Sequence, residues 1–237
     1  MILLDNTIKL PEFYDGVLPP EKEDLEALKN LEIDENRLKG TLGIKFFGGE
    51  QNIPFEQRKM FRPTFSIRGL QSGNVSVHAK TIIPAEAVAE IGIRLVSDQR
   101  REAIVRAFKN HFRDLANSSD FWKLFLNVIE IKFTEYVRPY KTSIESEWTE
   151  LLASAIEEGF NKKPVLVPLL GGTLPLSPIK DILNIPTYLI PYVQPDENNH
   201  APNENTSLEW WNSEIRTSLS ILSPRPVIGR KEKETRK

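Results

Sequence analysis

One histidine stands out for its company. The stretch Asp196-Glu-Asn-Asn-His200-Ala-Pro-Asn-Glu204 sets an imidazole among carboxylates and amides in a turn that precedes a helix start. A neutral imidazole is a common metal ligand, and neighbouring carboxylates can orient it or bind the ion themselves. The bland alternative is a plain loop histidine. A hydrolytic metal centre needs several ligands, and no others with metal spacing are found. His78 and His111 have no such spacing with each other or with His200, and they read as structural or surface residues. Cysteine is absent, which excludes disulfides, thiolate metal sites and cysteine nucleophiles.

Three further groups can contact a ligand. Gly171-Gly172-Thr173 follows an apolar run; two glycines allow close backbone approach and Thr173 offers a hydroxyl, or the segment is a simple strand-to-helix turn. Arg94 lies near the end of a strand, on its polar face. Its fork can clamp a carboxylate, or it can pair with Glu86 or Glu90 in solvent. Thr81, in Lys80-Thr81-Ile-Ile-Pro84, joins two extended pieces and is either a ligand contact or a turn hydroxyl. No Gly-x-Ser-x-Gly elbow is present, and the carboxylate pairs fall on helix faces, where solvation is the default.

The elements that must position these residues are of mixed α+β and α/β texture. Glu21 to Leu31 predicts a short helix with Leu25, Leu28 and Leu31 on one face. Thr64 to Ile67 alternates, and so does Ala85 to Val96, with Ala87, Ala89, Ile91, Ile93 and Leu95 opposite Glu86, Glu90 and Arg94. This is the pattern of an antiparallel sheet covered on one side. Asp98 is the expected N-cap of a helix to about His111, with Ile104, Phe108 and Phe112 in one stripe. Asn127 to Phe133 reads as another strand. Thr142-x-x-Glu145 and Thr206-x-x-Glu209 match the capping box; a helix closed by Gly159 follows the first, and Leu208, Trp211, Ile215, Leu219 and Leu222 follow the second at helical spacing. Between them, Pro164 to Pro168 and Pro186 to Val193 are apolar runs bounded by prolines, as edge or buried strands would be. The tail from Ser223 to Lys237 is expected to be disordered.

Composition sets the outer limits. The 237 residues can bury a substantial core as one large or two small domains. A formal net charge of -2 argues against nucleic acid or an anionic membrane surface as the main partner. No run approaches the roughly 20 apolar residues of a membrane span, and Met1 to Asp5 is too short for a signal peptide. A cytoplasmic setting is the expectation.

Taken in order, five strings resemble the zinc peptidases that include aminoacylase, carboxypeptidase G, the succinyl-diaminopimelate desuccinylases and the carnosinase-like dipeptidases, family 20 of the metallopeptidases. They are Arg62-Pro-Thr-Phe-Ser-Ile-Arg-Gly69, Lys80-Thr-Ile-Ile-Pro-Ala85, Ile93-Arg-Leu-Val96, Gly171-Gly-Thr173 and His200-Ala-Pro-Asn-Glu204. Phe13-Tyr-Asp15 and Val17-Leu-Pro19, with the acidic helix after them, are similar to an insertion of the dipeptidase branch. The resemblance spans about Leu10 to Leu222. It implies an antiparallel lid sheet with helices followed by the C-terminal portion of an α/β zinc-peptidase catalytic domain. The implied division is an insertion or connection over 1–61, a partial lid or dimerisation domain over 62–138, the end of the catalytic domain over 139–222 and a charged tail over 223–237. It also implies roles. His200 would ligate one of two zinc ions. Arg94 and Thr173 would hold the substrate's terminal carboxylate. Thr81 would reach the active site of a partner subunit in a homodimer formed through the lid sheet.

The family's other metal ligands, its glutamate base and its lid histidine belong to motifs not found in these 237 residues. The chain thus reads as holding no catalytic residue of its own. It is expected to be inactive and without tight zinc unless an N-terminal half joins it, with a dipeptide or acyl-amino acid as the substrate of the whole. The alternative is a stand-alone, non-catalytic module for dimerisation or peptide capture.

Overall fold

A computed structural model describes residues 3–4, 7–74, 81–134, 136–194 and 196–223. The expected disorder of the tail beyond Ser223, and the positions of His78 and Lys80, lie outside the described residues. The chain opens with two short strands, β1 (Leu3–Leu4) and β2 (Thr7–Ile8), paired antiparallel. A run of turns then drives Leu10 and Phe13 into a core shared with Ile8, Ile104, Ala107 and Phe108. Phe13 is fully buried there.

Three helices follow. The expected helix after Glu21 forms as α1 (Lys22–Lys29), where Asp24 Oδ2 accepts from the Glu21 amide at 2.8 Å. Its buried face is Asp24, Ala27 and Leu28, whereas Leu25 is exposed. Helix α2 (Glu35–Leu42) is capped by Asp34 and closed by Gly43 at φ 65°, a left-handed terminus that suits glycine. Helix α3 (Phe55–Phe61) packs Met60 and Phe61 against Leu28.

Strand β3 (Thr64–Ser72) pairs antiparallel with β4 (Ala87–Arg94), with Thr64 opposite Arg94 and Ile67 opposite Ile91. An irregularity between Ile67 and Gly69 shifts the register. Helix α4 (Arg101–Ser118) covers the proximal part of this hairpin through Phe65 and Ile93, with the Phe65 and Phe108 rings stacked at 6.1 Å. Helix α5 (Asp120–Leu126) follows after the Ser119 cap.

The expected N-cap at Asp98 is not one. Asp98 has φ 68° within a tight turn, and α4 begins three residues later. The cause is Gln99, whose Oε1 accepts from the Val96 amide at 3.1 Å while its Nε2 donates to the Phe13 carbonyl at 2.6 Å. That buried bridge fixes the turn before the helix can start. Residues 127–133 do not form the expected strand. Their alternation is real, and Phe133 reaches the Phe108 ring, but Val128 and Ile129 donate back to Phe125 and Leu126 in a turn, and the segment joins no ladder among the described residues.

The second half alternates helices with irregular chain. It holds α6 (Glu147–Phe160), α7 (Leu176–Leu183) and α8 (Leu208–Leu222). Both expected capping boxes give way to a serine one residue on or later: Ser146 and Ser207 accept from Thr149 and Trp210 amides. Thr142 Oγ1 donates instead to the Thr187 carbonyl at 2.7 Å, and Thr206 Oγ1 to Gln194 Oε1 at 3.0 Å. Residues 164–168 and 186–193, expected as strands, form none: neither stretch joins a ladder among the described residues, and the chain bends at Pro168.

Gly159 does not terminate α6, which ends at Phe160 with Asn161 left-handed at φ 53°. Gly159 instead marks the point where α6 and α8 nearly touch. A Cβ there would lie 1.9 Å from Thr217 Oγ1 and 2.7 Å from the Ser213 carbonyl. Arg216 donates to the Gly159 carbonyl from Nε and Nη2, and the Phe160 ring meets Trp210 edge-on at 4.9 Å. Helix α8 therefore buries its small, polar side, Ser213, Thr217 and Ser220. The apolar residues read at helical spacing point outward instead, with Leu208 84 % and Leu222 81 % exposed.

Candidate functional site

Arg94 closes β4, and its position follows from the hairpin register that sets it opposite Thr64. Its Nη1 donates to the carbonyl of Gly171 at 2.9 Å, across 77 residues of sequence. Glu90 is not its partner, being held by Arg68 at 2.6 Å. Gly171 is seated against α3: a Cβ there would meet the Lys59 carbonyl at 2.8 Å, so only glycine allows this approach. At Gly172 a Cβ would lie 4.0 Å from Arg94 Nη1. The two sequence-predicted groups, the strand arginine and the Gly-Gly-Thr turn, thus meet in space.

Arg94 and Thr173 both line a cleft of about 1530 Å³ between the hairpin, α4 and the helical second half. Among its cationic residues Arg68, Lys132, Arg138 and Lys141 each pair with a carboxylate. Arg94, Arg101, Lys162 and Lys163 have no carboxylate partner among the described residues, and Arg101 instead lies over the Tyr136 ring at 5.9 Å. Glu209 is the acidic group of the lining. The cleft is therefore positively biased, which suits an anionic group, and Arg94 and Thr173 could hold a carboxylate with guanidinium and hydroxyl donors.

His200 stands apart from that cleft. It is exposed, at φ 62°, in a loop that also holds Asn198 and Asn203 at left-handed φ of 60° and 64°. Three such residues in one loop are a costly conformation that must be held from outside. Glu197 and Gln194 do the holding. Glu197 is buried; its Oε2 accepts from the Gln194 amide at 3.2 Å and its carbonyl from the Asn205 amide at 2.9 Å. Gln194 Oε1 accepts from the Ser207 amide at 2.7 Å and ties the loop to the start of α8. The second oxygen of Glu197 is buried without a partner. Sequence reasoning passed over Glu197, because nothing in its spacing separates it from the exposed Asp196 beside it.

Thr81 is exposed in the connection between β3 and β4, beside Ile82 and Ile83, and lies outside the cleft lining. His111 sits on α4 with its ring 5.9 Å from Phe112. Among the described residues no group of three or more histidine, cysteine, aspartate or glutamate side chains could hold a metal ion.

Residues 21–120 match the peptidase dimerisation domain of the M20 family. Over that segment the chain is similar to the M20 metallopeptidases. It is 25 % identical over 211 residues to the human Beta-Ala-His dipeptidase, covering 86 % of this chain and 39 % of that protein. It is 23 % identical to the Cys-Gly metallodipeptidase of Saccharomyces cerevisiae over 215 residues, covering 88 % and 43 %. The chain thus spans about two-fifths of the length of these curated relatives. The fold matches an M20 family metallo-carboxypeptidase from Sulfolobus solfataricus with a TM-score of 0.76 at 24 % identity, over 91 % of this chain and 48 % of that one. Human carnosine dipeptidase 1 matches with a TM-score of 0.72 at 21 % identity, over 93 % and 46 %. The resemblance read from the five strings and the mixed α/β class both stand.

Proposed function

We propose that this chain is the C-terminal portion of a metal-dependent hydrolase that cleaves the peptide or amide bond of a dipeptide or acyl-amino acid. The observation that carries the reading is the Arg94–Gly171 contact. It unites two motifs far apart in sequence at a positively biased cleft, where a substrate carboxylate would need a fork and a hydroxyl. In this reading Arg94 and Thr173 bind that carboxylate, and Thr81 serves the site of a second copy in a homodimer. Residues 62–138 act as the lid and 139–222 as the end of the catalytic domain, in the cytoplasm. Among the described residues no helix is long and apolar enough to cross a membrane.

The described residues do not by themselves make a zinc site. His200 is one imidazole, and a catalytic zinc takes about three protein ligands. We therefore assign His200 as a single ligand of a two-zinc site completed from elsewhere, and derive no catalytic step through the metal. The chain alone is expected neither to hydrolyse dipeptides nor to bind zinc tightly, and both properties are expected once the rest of the peptidase is co-produced with it. Stoichiometric, tight zinc binding by the isolated chain would overturn this reading. In the reconstituted enzyme Arg94→Met should raise KM about 10- to 100-fold with a smaller change in kcat, the loss of roughly 1.5–3 kcal/mol of charge-assisted binding.

A further inference from the structure

Helix α4 has two unlike faces. Ile104, Ala107 and Phe108 go into the core. The opposite side carries Arg106, Lys109 and Arg113, all exposed. Steps of three and four residues set them in one row, with Arg106 and Arg113 roughly 10 Å apart along the axis. Like charges at those steps oppose helix formation. None of the three has a carboxylate partner among the described residues. Glu102 precedes Arg106 by four positions, the order that favours pairing, and still does not pair with it.

The same side chains share a hollow. A shallow groove of about 300 Å³ is lined by Arg101, Arg106, Lys109 and Arg113, with Glu102 the one acid among them. Asp114, the other acid of α4, does not line it. The volume lies at the lower edge of the roughly 300–1,000 Å³ of small-molecule sites. Three of the four cations are arginines, whose planar fork takes two oxygens of a phosphate or carboxylate at once. Among the described residues no aromatic ring lines the groove, so a ligand there is gripped by charge and not by stacking. Neither Arg94 nor Thr173 lines it, but Arg101 and Val105 belong to the wall of the large cleft as well.

We propose that this groove on α4 binds a small polyanion bearing two or more phosphate groups. A single phosphate satisfies one arginine fork, whereas a row of three cations over roughly 10 Å calls for charge spread along the ligand. Linked phosphates supply that charge and the paired oxygens that the forks accept. The bound polyanion cancels the repulsion among Arg106, Lys109 and Arg113 and so steadies α4. Arg101, which lies over the Tyr136 ring at 5.9 Å, is the residue through which an occupied groove touches the cleft. The site stands whether or not the hydrolase reading does.

Isothermal titration calorimetry of the full chain with tripolyphosphate, at about 0.1 M salt, tests this. One site per chain is expected, with inorganic phosphate about tenfold weaker or more. ATP should bind within about threefold of tripolyphosphate, because no ring in the lining reads a base. Affinity should fall steeply with added salt, as for a contact made by several exposed charges. Arg106→Gln combined with Arg113→Gln should weaken tripolyphosphate about tenfold or more. Both positions are exposed, so thermal unfolding of the double variant should stay the same or rise slightly as the repulsion goes. Arg94→Met should leave the affinity unchanged. Binding lost in Arg94→Met but kept in the double variant would place the anion in the cleft and overturn the proposal. So would a dissociation constant above about 1 mM. Citrate binding as tightly as tripolyphosphate would make the groove a carboxylate site, and that too would overturn it.

Discussion

At the scale of single residues, two contacts have consequences out of proportion to their size. Asp24 is fully buried and accepts from Lys141 at 2.6 Å, while Lys141 also lies 3.7 Å from Glu21. Removing the cation strands a buried carboxylate, so Lys141→Met should cost about 3–5 kcal/mol in urea denaturation. The double variant with Asp24→Asn should recover part of that loss, because the charge is gone. Gly159→Ala should also be damaging. The added methyl collides with backbone on α8, which cannot rotate away, and a loss of about 2–3 kcal/mol is expected from the same measurement. Tyr14 gives a pH signature. Burial pushes its phenol above the ordinary 10.0, opposed by the hydrogen bond from the Ile8 amide, reinforced by Glu50 and opposed by Arg62. The fold favours the neutral phenol, so this stability is fully present below about pH 10. It is lost as pH rises from there through the folded value. Tyr14→Phe should flatten the fall in urea midpoint between pH 9 and 11 relative to the parent.

Among the elements, sequence reading succeeded where local pattern and tertiary packing agree. The hairpin of β3 and β4, with Phe65 and Ile93 under Ile104 and Phe108, was legible because period 2 and period 3.6 meet on one core. The start of α4 was not legible, since it depends on a Gln99 bridge to Phe13 that spans 86 residues. The capping boxes misled by a few residues because Thr142 and Thr206 found partners across the fold. Of the candidate site, Arg94 and Gly171-Gly172-Thr173 could be named from residue type and order. Glu197 could not, because its role appears only when the loop closes over it. The helical spacing of Leu208 to Leu222 was legible, whereas the face of α8 that packs is Ser213, Thr217 and Ser220, beside Gly159. Hydrophobic pattern locates a face that needs cover; it does not say which neighbour provides it. Loop 194–207 should depend on its braces: Gln194→Ala removes the acceptor for the Ser207 amide and the Thr206 hydroxyl. Cleavage by a protease at 198–203 should then quicken several-fold, followed by gel electrophoresis, with α-helical circular dichroism little changed.

For the whole molecule, the distribution of apolar surface is the main fact. Ile67, Leu70 and Ile91 on the distal hairpin, Phe121, Leu124 and Phe125 on α5, and the outward stripe of α8 are all exposed. So much apolar surface in contiguous faces calls for protein partners. The isolated chain should therefore self-associate, with a sedimentation coefficient that rises over the micromolar range, and the complementary polypeptide should suppress that rise. The dimerisation-domain match over 21–120 places one of these faces, the hairpin, within a segment whose relatives are described by pairing. The Phe13–Gln99 bridge has a separate use. Residues 7–16 belong physically to the α4 core, although they precede it by some ninety positions. A fluorescent dye on Thr7 would therefore travel with the hairpin. Energy transfer from it to a second dye near Trp211 would act as a ruler for any opening or closing between the two halves when a ligand arrives.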